Sequence, residues 1–300
     1  MRGIRSPRSS GVAHGLARAI GPALLIALLP DAAAPAQQPE FETTRIADGV
    51  YRFRYRFHNS LFVVTPEGVI AFDPISPEAA SHYAAEIRRL APGNELHDLV
   101  YSHDHADHIS GAPTLFRELQ EVPIIAHENA YPKLAAANDP NRPPPDITFT
   151  EKAVLRLGGQ TVELHYLGKS HSDNMLVAYL PGPKIVFAVD FVSHQAVGYR
   201  DLPDWHYPEM YDAIERLQEI PYERIVFGHG PPGDRSSIEG QLRYYRELRE
   251  AVREAIEAGA SKEEAMERVS LPRYRQWRGY DDWFRMNVGK MYEWLSAERE

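Results

Sequence analysis

Four potential metal donors, His103, His105, Asp107 and His108, fall within six consecutive positions, directly after the short apolar run Leu99-Val100-Tyr101. No other segment constrains the fold as tightly, because the chain must end a strand where several side chains can converge. In extended chain the side chains alternate, which points His103, His105 and Asp107 to one side. His108 then faces a neighbouring position once the chain bends into the next helix. A single histidine is ordinarily a hydrogen-bonded core or surface residue. Three beside an aspartate are costly to bury unless a cation satisfies them. The chain has no cysteine, which excludes disulfides, thiolate ligands and a cysteine nucleophile. Any metal therefore rests on His, Asp or Glu, a donor set suited to zinc, iron or manganese.

The pattern around this segment is that of an α/β protein. From Phe41 to Pro74 runs of β-branched and aromatic residues (Val50–Tyr55, Leu61–Val64, Val69–Phe72) are separated by turn residues, which predicts an antiparallel meander. A helix follows over Pro77–Leu90, with Ala80, Tyr83, Ile87 and Leu90 at helical spacing. Helix 113–120, strand Ile124–Ala126 and helix 128–137 continue the alternation, and the Pro- and Asn-rich stretch Asn138–Pro145 reads as a loop or seam. The second half begins with strands again, over Ile147–Leu157, Thr161–Leu167, Met175–Leu180 and Lys184–Val189. A loop over Phe191–His206, a helix with Met210, Ile214 and Leu217, and strand Ile225–Phe227 come next. Two sheets packed together with helices outside satisfy this order. The last segment, Tyr280–Glu300, reads as an amphipathic helix on the body.

Residues 1–36 differ from the rest. Arg2, Arg5, Arg8 and Arg18 precede an apolar stretch, Ile20–Leu29, and then Ala34-Pro35-Ala36. That is the order of a secretory signal peptide, and the stretch is too short to span a bilayer. The expectation is a periplasmic or secreted mature chain, one domain over 37–300 with a helical C-terminal extension, and no stable membrane anchor. A formal net charge of -9 argues against nucleic acid as partner. A small-molecule substrate is expected instead.

With these motifs the chain resembles the metallo-β-lactamase-fold hydrolase superfamily, whose signature H-x-H-x-D-H matches His103–His108. Similar segments follow: Gly168–Asn174 around His171, Phe187–Asp190 at a strand end, and Gly228-His229-Gly230. The resemblance implies a four-layer αββα sandwich holding two Zn2+ per chain, with iron or manganese as other candidates. It implies one ion on His103, His105 and His171, a second on Asp107, His108 and His229, and Asp190 between them. Asp107 would also orient the attacking water, giving metal-assisted hydrolysis of a cyclic amide or ester. Two departures bear on the substrate. One lactamase subclass carries Cys where this chain has Asp190, and often Lys where it has Ser193. A thioesterase, a mononuclear iron enzyme acting on sulfur compounds, and a metal-stabilised binding protein are the competing readings. His194, Tyr199 and Trp205, in the loop after Asp190, are candidate substrate contacts. His58, His127, His165 and His206 carry no pattern and read mostly as ordinary, although His206 shares the loop of His194 and is placed to line a pocket. Asp104 and Asp173 read as supporting or capping groups.

Overall fold

The computed structural model describes residues 39–299, so the expected signal peptide at 1–36 lies outside the described residues. The chain opens with a meander, β1 (Phe41–Ala47), β2 (Val50–Tyr55), β3 (His58–Thr65) and β4 (Gly68–Phe72), paired antiparallel throughout. Helix α1 (Pro77–Leu90) then carries the chain across to β5 (Leu96–Val100), which lies parallel to β4. Its start is encoded locally: Ser76 accepts the amide of Ala79, and Pro77 occupies a first-turn position that needs no amide hydrogen. The short helices α2 (Ala106–Ile109) and α3 (Ala112–Glu118) lead to β6 (Ile124–His127), and α4 (Ala130–Ala137) leads to β7 (Ile147–Phe149). Both strands add in parallel, which completes a seven-stranded sheet in sequence order.

The second sheet has five strands: β8 (Lys152–Leu157), β9 (Gln160–Tyr166), β10 (Leu176–Leu180), β11 (Ile185–Ala188) and β12 (Arg224–Phe227). Only β12 is parallel to its neighbour, and helix α5 (Glu209–Glu219) makes that crossover. Helices α6 (Arg235–Glu257), α7 (Lys262–Arg268) and α8 (Tyr280–Ala297) follow. The expected single strand over Ile147–Leu157 is in fact two strands in different sheets, broken at Thr150-Glu151. No Gly or Pro marks the break, and alternation runs through it, so periodicity cannot reveal the change of partner.

Strand alternation sorts the first sheet into two cores. Leu61, Val63, Ile70 and Phe72 face the second sheet and pack with Val162, Leu176, Phe187 and Phe227. Their neighbours Phe62, Val69 and Ala71 face the other way, onto Ala80, Tyr83, Ile87 and Leu115 of α1 and α3. On the far side of the second sheet lie Met210 and Ile214 of α5, Tyr245 and Leu248 of α6, and Val288 and Met291 of α8. The layers are helix, sheet, sheet, helix, as expected. Among the described residues no helix is long and apolar enough to cross a membrane.

Candidate metal centre

The site forms where both sheets end on the same side. From the first sheet, β5 runs out at Val100 and delivers Ser102–His108. The extended stretch is shorter than its spacing suggested. His105 caps α2, so Asp107 and His108 sit in a helical turn. The turn separates Asp107 from His103 and His105, with which strand alternation would have grouped it. From the second sheet come His171 before β10, Asp190 after β11 and His229 after β12. Asp190 holds φ 57°, a left-handed conformation that aspartate tolerates better than most residues. Gly228 is required beside it. A Cβ there would stand 2.7 Å from that of Val189, 2.9 Å from His108 Cε1 and 3.0 Å from Asp190 Oδ1.

Asp190 is the centre of the cluster. Its Oδ2 lies 3.4 Å from His103 Nε2, 3.2 Å from His108 Nε2 and 3.7 Å from His171 Nε2. Its Oδ1 lies 3.0 Å from His229 Nε2. Three groups have donors close enough to share an ion: His103, His105, His171 and Asp190; His108, Asp190 and His229; and His58, Asp107 and His229. The nitrogens His103 Nε2 and His108 Nε2 are buried without a hydrogen-bond partner. Each such orphan costs about 1–3 kcal/mol unless something satisfies it. Burial pushes His171 down to about 4 and His103 well below its ordinary value. Both rings are therefore neutral near pH 7, with lone pairs free. His108 goes the other way: burial lowers it, but the Asp190 and Asp73 carboxylates outweigh that and hold it well above its ordinary value. A cation there takes the place of a proton. Two neutral imidazoles, a central carboxylate and inward-facing orphaned nitrogens fit a divalent cation.

A fully buried aspartate that the sequence did not single out orients the motif. Asp73, just past β4, accepts the Ser102 amide at 2.8 Å and its hydroxyl at 2.6 Å. It also lies 2.9 Å from His108 Nδ1, while Ser102 Oγ lies 3.0 Å from His103 Nδ1. Holding both Nδ1 atoms from behind turns both Nε2 atoms towards Asp190. Asp104 and Asp173 fasten loops, as expected. Asn174 accepts the Asp104 amide at 3.0 Å and donates to its carboxylate at 2.8 Å, and Asp173 pairs with Lys133 at 2.5 Å.

A profile of the metallo-beta-lactamase superfamily matches residues 54–229, more than half of the chain. The chain belongs to that superfamily. Among curated proteins it is 24% identical over 252 residues to the 2,4-dinitroanisole O-demethylase subunit alpha of Nocardioides sp., covering 81% of this chain and 74% of that one. It is 28% identical to a metallo-beta-lactamase type 2 of Bacillus cereus (60% and 70% covered) and 30% identical to a hydroxyacylglutathione hydrolase of Rhodobacter capsulatus (45% and 48% covered). Among solved structures, a metallo-beta-lactamase from Pontibacter korlensis superposes with TM-score 0.58 at 25% identity, over 68% of this chain and 99% of that one.

The superfamily centre opens into a cavity of about 610 Å3. Tyr199 and Trp205 are among its lining residues. The third expected contact, His194, is not among the lining residues: its Nδ1 meets Ser237 Oγ of α6 at 2.8 Å. A loop position alone does not say which way a side chain turns. His206 also stays out of the lining, whereas His58, read as ordinary, is in it. Gln241, Tyr245, Arg278 and Trp283 line the wall from beyond residue 229, where the profile ends. Arg278 packs on Gly230, whose missing Cβ would stand 2.9 Å from its Nη1. Among the described residues its guanidinium has no carboxylate partner. Only comparison in space could have found these residues, because nothing near them in sequence signals a site.

Proposed function

We propose that this protein is a metal-dependent hydrolase that opens a cyclic amide or ester of β-lactam or lactone type, using two divalent ions, zinc foremost. The observation that carries this reading is the sharing of Asp190 between two histidine groups at the floor of an open cavity. His103, His105 and His171 would hold one ion, Asp107, His108 and His229 the other, with Asp190 common to both. Such ions, when bound, supply Lewis acidity towards a carbonyl oxygen and make water acidic enough to attack near neutral pH.

The chain's own groups do the rest. Asp107 stands at the cavity wall with Oδ2 3.4 Å from His58 and 3.7 Å from His229. Although burial raises its pKa, the His58 hydrogen bond and nearby imidazoles hold it well below the usual carboxylate range. It is thus ionised at neutral pH, a hydrogen-bond acceptor able to orient a water at the cavity wall. Trp205 lies over the centre with its ring 6.0 Å from that of His171, and Tyr199 meets Trp283 edge-on at 5.0 Å. These rings pack an apolar substrate body and exclude water. Arg278, which lines the same cavity and has no carboxylate partner among the described residues, favours substrates with an anionic group turned towards Gly230.

The test is a panel of chromogenic lactams, lactones and thioesters turned over by purified protein of known metal content, with His103→Ala as control. Turnover of none of the panel by two-ion protein sinks the proposal. One iron per chain supports the rival reading of a mononuclear enzyme acting on sulfur compounds. Cleavage at an aryl ether or thioester is a second reading, favoured by the relatives named for those substrates and by the aromatic walls. Export to the periplasm or medium is part of the proposal, and N-terminal sequencing of the mature chain checks it.

A further inference from the structure

We propose that His58 is an additional ligand of the ion held by His108 and His229, an inference that rests on the two-ion reading above. His58 heads β3, and its backbone bridges that of His229, so the two imidazoles meet edge to face at 4.6 Å. The Phe57 ring covers the outer side at 4.4 Å. The side chain is only 16% exposed, and Nε2 reaches Asp107 Oδ2 at 3.4 Å. The same oxygen lies 3.7 Å from His229 Nε2 and 3.9 Å from His108 Nε2. Donors about 2.0–2.2 Å from a tetrahedral zinc stand roughly 3.3–3.6 Å apart. His58, Asp107 and His229 already have donors close enough to share an ion, and His108 Nε2 stands 3.9 Å from the same Asp107 oxygen, so a shift of the His58 ring towards His108 brings all three nitrogens onto one ion.

The donor count gives His58 a purpose. Asp190 is common to both ions, so it is a weakened donor to each. The ion on the His108 side then has Asp107, two imidazoles and a share of Asp190, one nitrogen fewer than its neighbour. With His58 it gains a third nitrogen and is retained at lower free metal.

His58→Gln separates ligation from hydrogen bonding, since the amide can still donate to Asp107 but binds zinc poorly. Stepwise zinc affinities, measured by competition with a chromophoric chelator, should show the second ion weakened at least tenfold and the first unchanged. In the cobalt-substituted protein, paramagnetically shifted imidazole N–H resonances should number six in the native chain and five in the variant. Five in both overturns the proposal. So does unchanged second-ion affinity in His58→Gln while His58→Ala loses it, which assigns His58 a hydrogen-bonding role. A native chain that takes up only one ion overturns the two-ion reading, and His58's place in it falls as well.

Discussion

Asp73 is not among the residues that line the cavity and carries no motif, yet it decides where two imidazoles point. Replacing it with Asn leaves the shape but removes the charge and one acceptor behind His108 and Ser102. Metal affinity should fall about 10–100-fold, as for other groups that orient ligating imidazoles, and competition titration reads it. Arg278→Met should raise KM about 10–100-fold for a carboxylate-bearing substrate, the loss expected of a charged hydrogen bond. The neutral methyl ester of that substrate should change far less, and steady-state kinetics on the pair checks it. Equal effects on both would remove the anionic-group preference. The residues legible in the sequence were those whose meaning is local. His103 to His108 crowd donors into one segment, and Gly228-His229-Gly230 flags close approach. Asp73, His58 and Arg278 acquire theirs only through contacts made by the finished fold: Asp73 reaches Ser102 across 29 positions, and His58 reaches His229 through a strand bridge. His194 shows the converse, a loop residue in the right region whose partner Ser237 draws it away.

Among the elements, helix α8 does more than cover the second sheet. Its buried Asn287 donates to the carbonyls of Gly198 and Arg200 at 3.0 and 2.6 Å and accepts the Tyr244 hydroxyl at 2.7 Å. One side chain thereby fastens the loop after Asp190 to α6 and α8. Asn287→Ala should destabilise the protein by about 2–4 kcal/mol, because it orphans buried polar groups. Differential scanning calorimetry should show the loss, and limited proteolysis should find the 195–205 loop opened. The amphipathic reading of Tyr280–Glu300 foresaw the helix and its apolar face but not this polar clasp, since a lone Asn in a helix says nothing about its partners. The same limit explains Ile147–Leu157, read as one strand. Alternation reports that a segment is extended with one face buried, and β7 and β8 both meet that description while belonging to different sheets.

At the scale of the whole molecule, the candidate ligands come from both halves: His103, His105, Asp107 and His108 from the first sheet, His171, Asp190 and His229 from the second. An ion bound there counts towards the stability of the entire sandwich, because it binds only the folded arrangement. Free zinc at a hundred times its dissociation constant should add about 2.7 kcal/mol. Chelation should therefore lower the melting temperature by roughly 5–10 °C for a domain of this size, as a thermal scan with and without chelator will show. An unchanged midpoint would mean that the cluster takes up no ion in the native state. The αββα order was readable because strand and helix periods alternate cleanly along most of the chain. The pocket wall was not, because Arg278 and Trp283 enter it from a helical region whose own pattern speaks only of packing.

The break at Thr150-Glu151 carries a consequence for biogenesis. Because the chain passes there from one leaf of the sandwich to the other, a half-made protein carries His103, His105, Asp107 and His108 without His171, Asp190 and His229, an incomplete set for the proposed pair of ions. On the two-ion proposal, firm loading would be the closing act of maturation, a clasp that snaps only when both leaves have met.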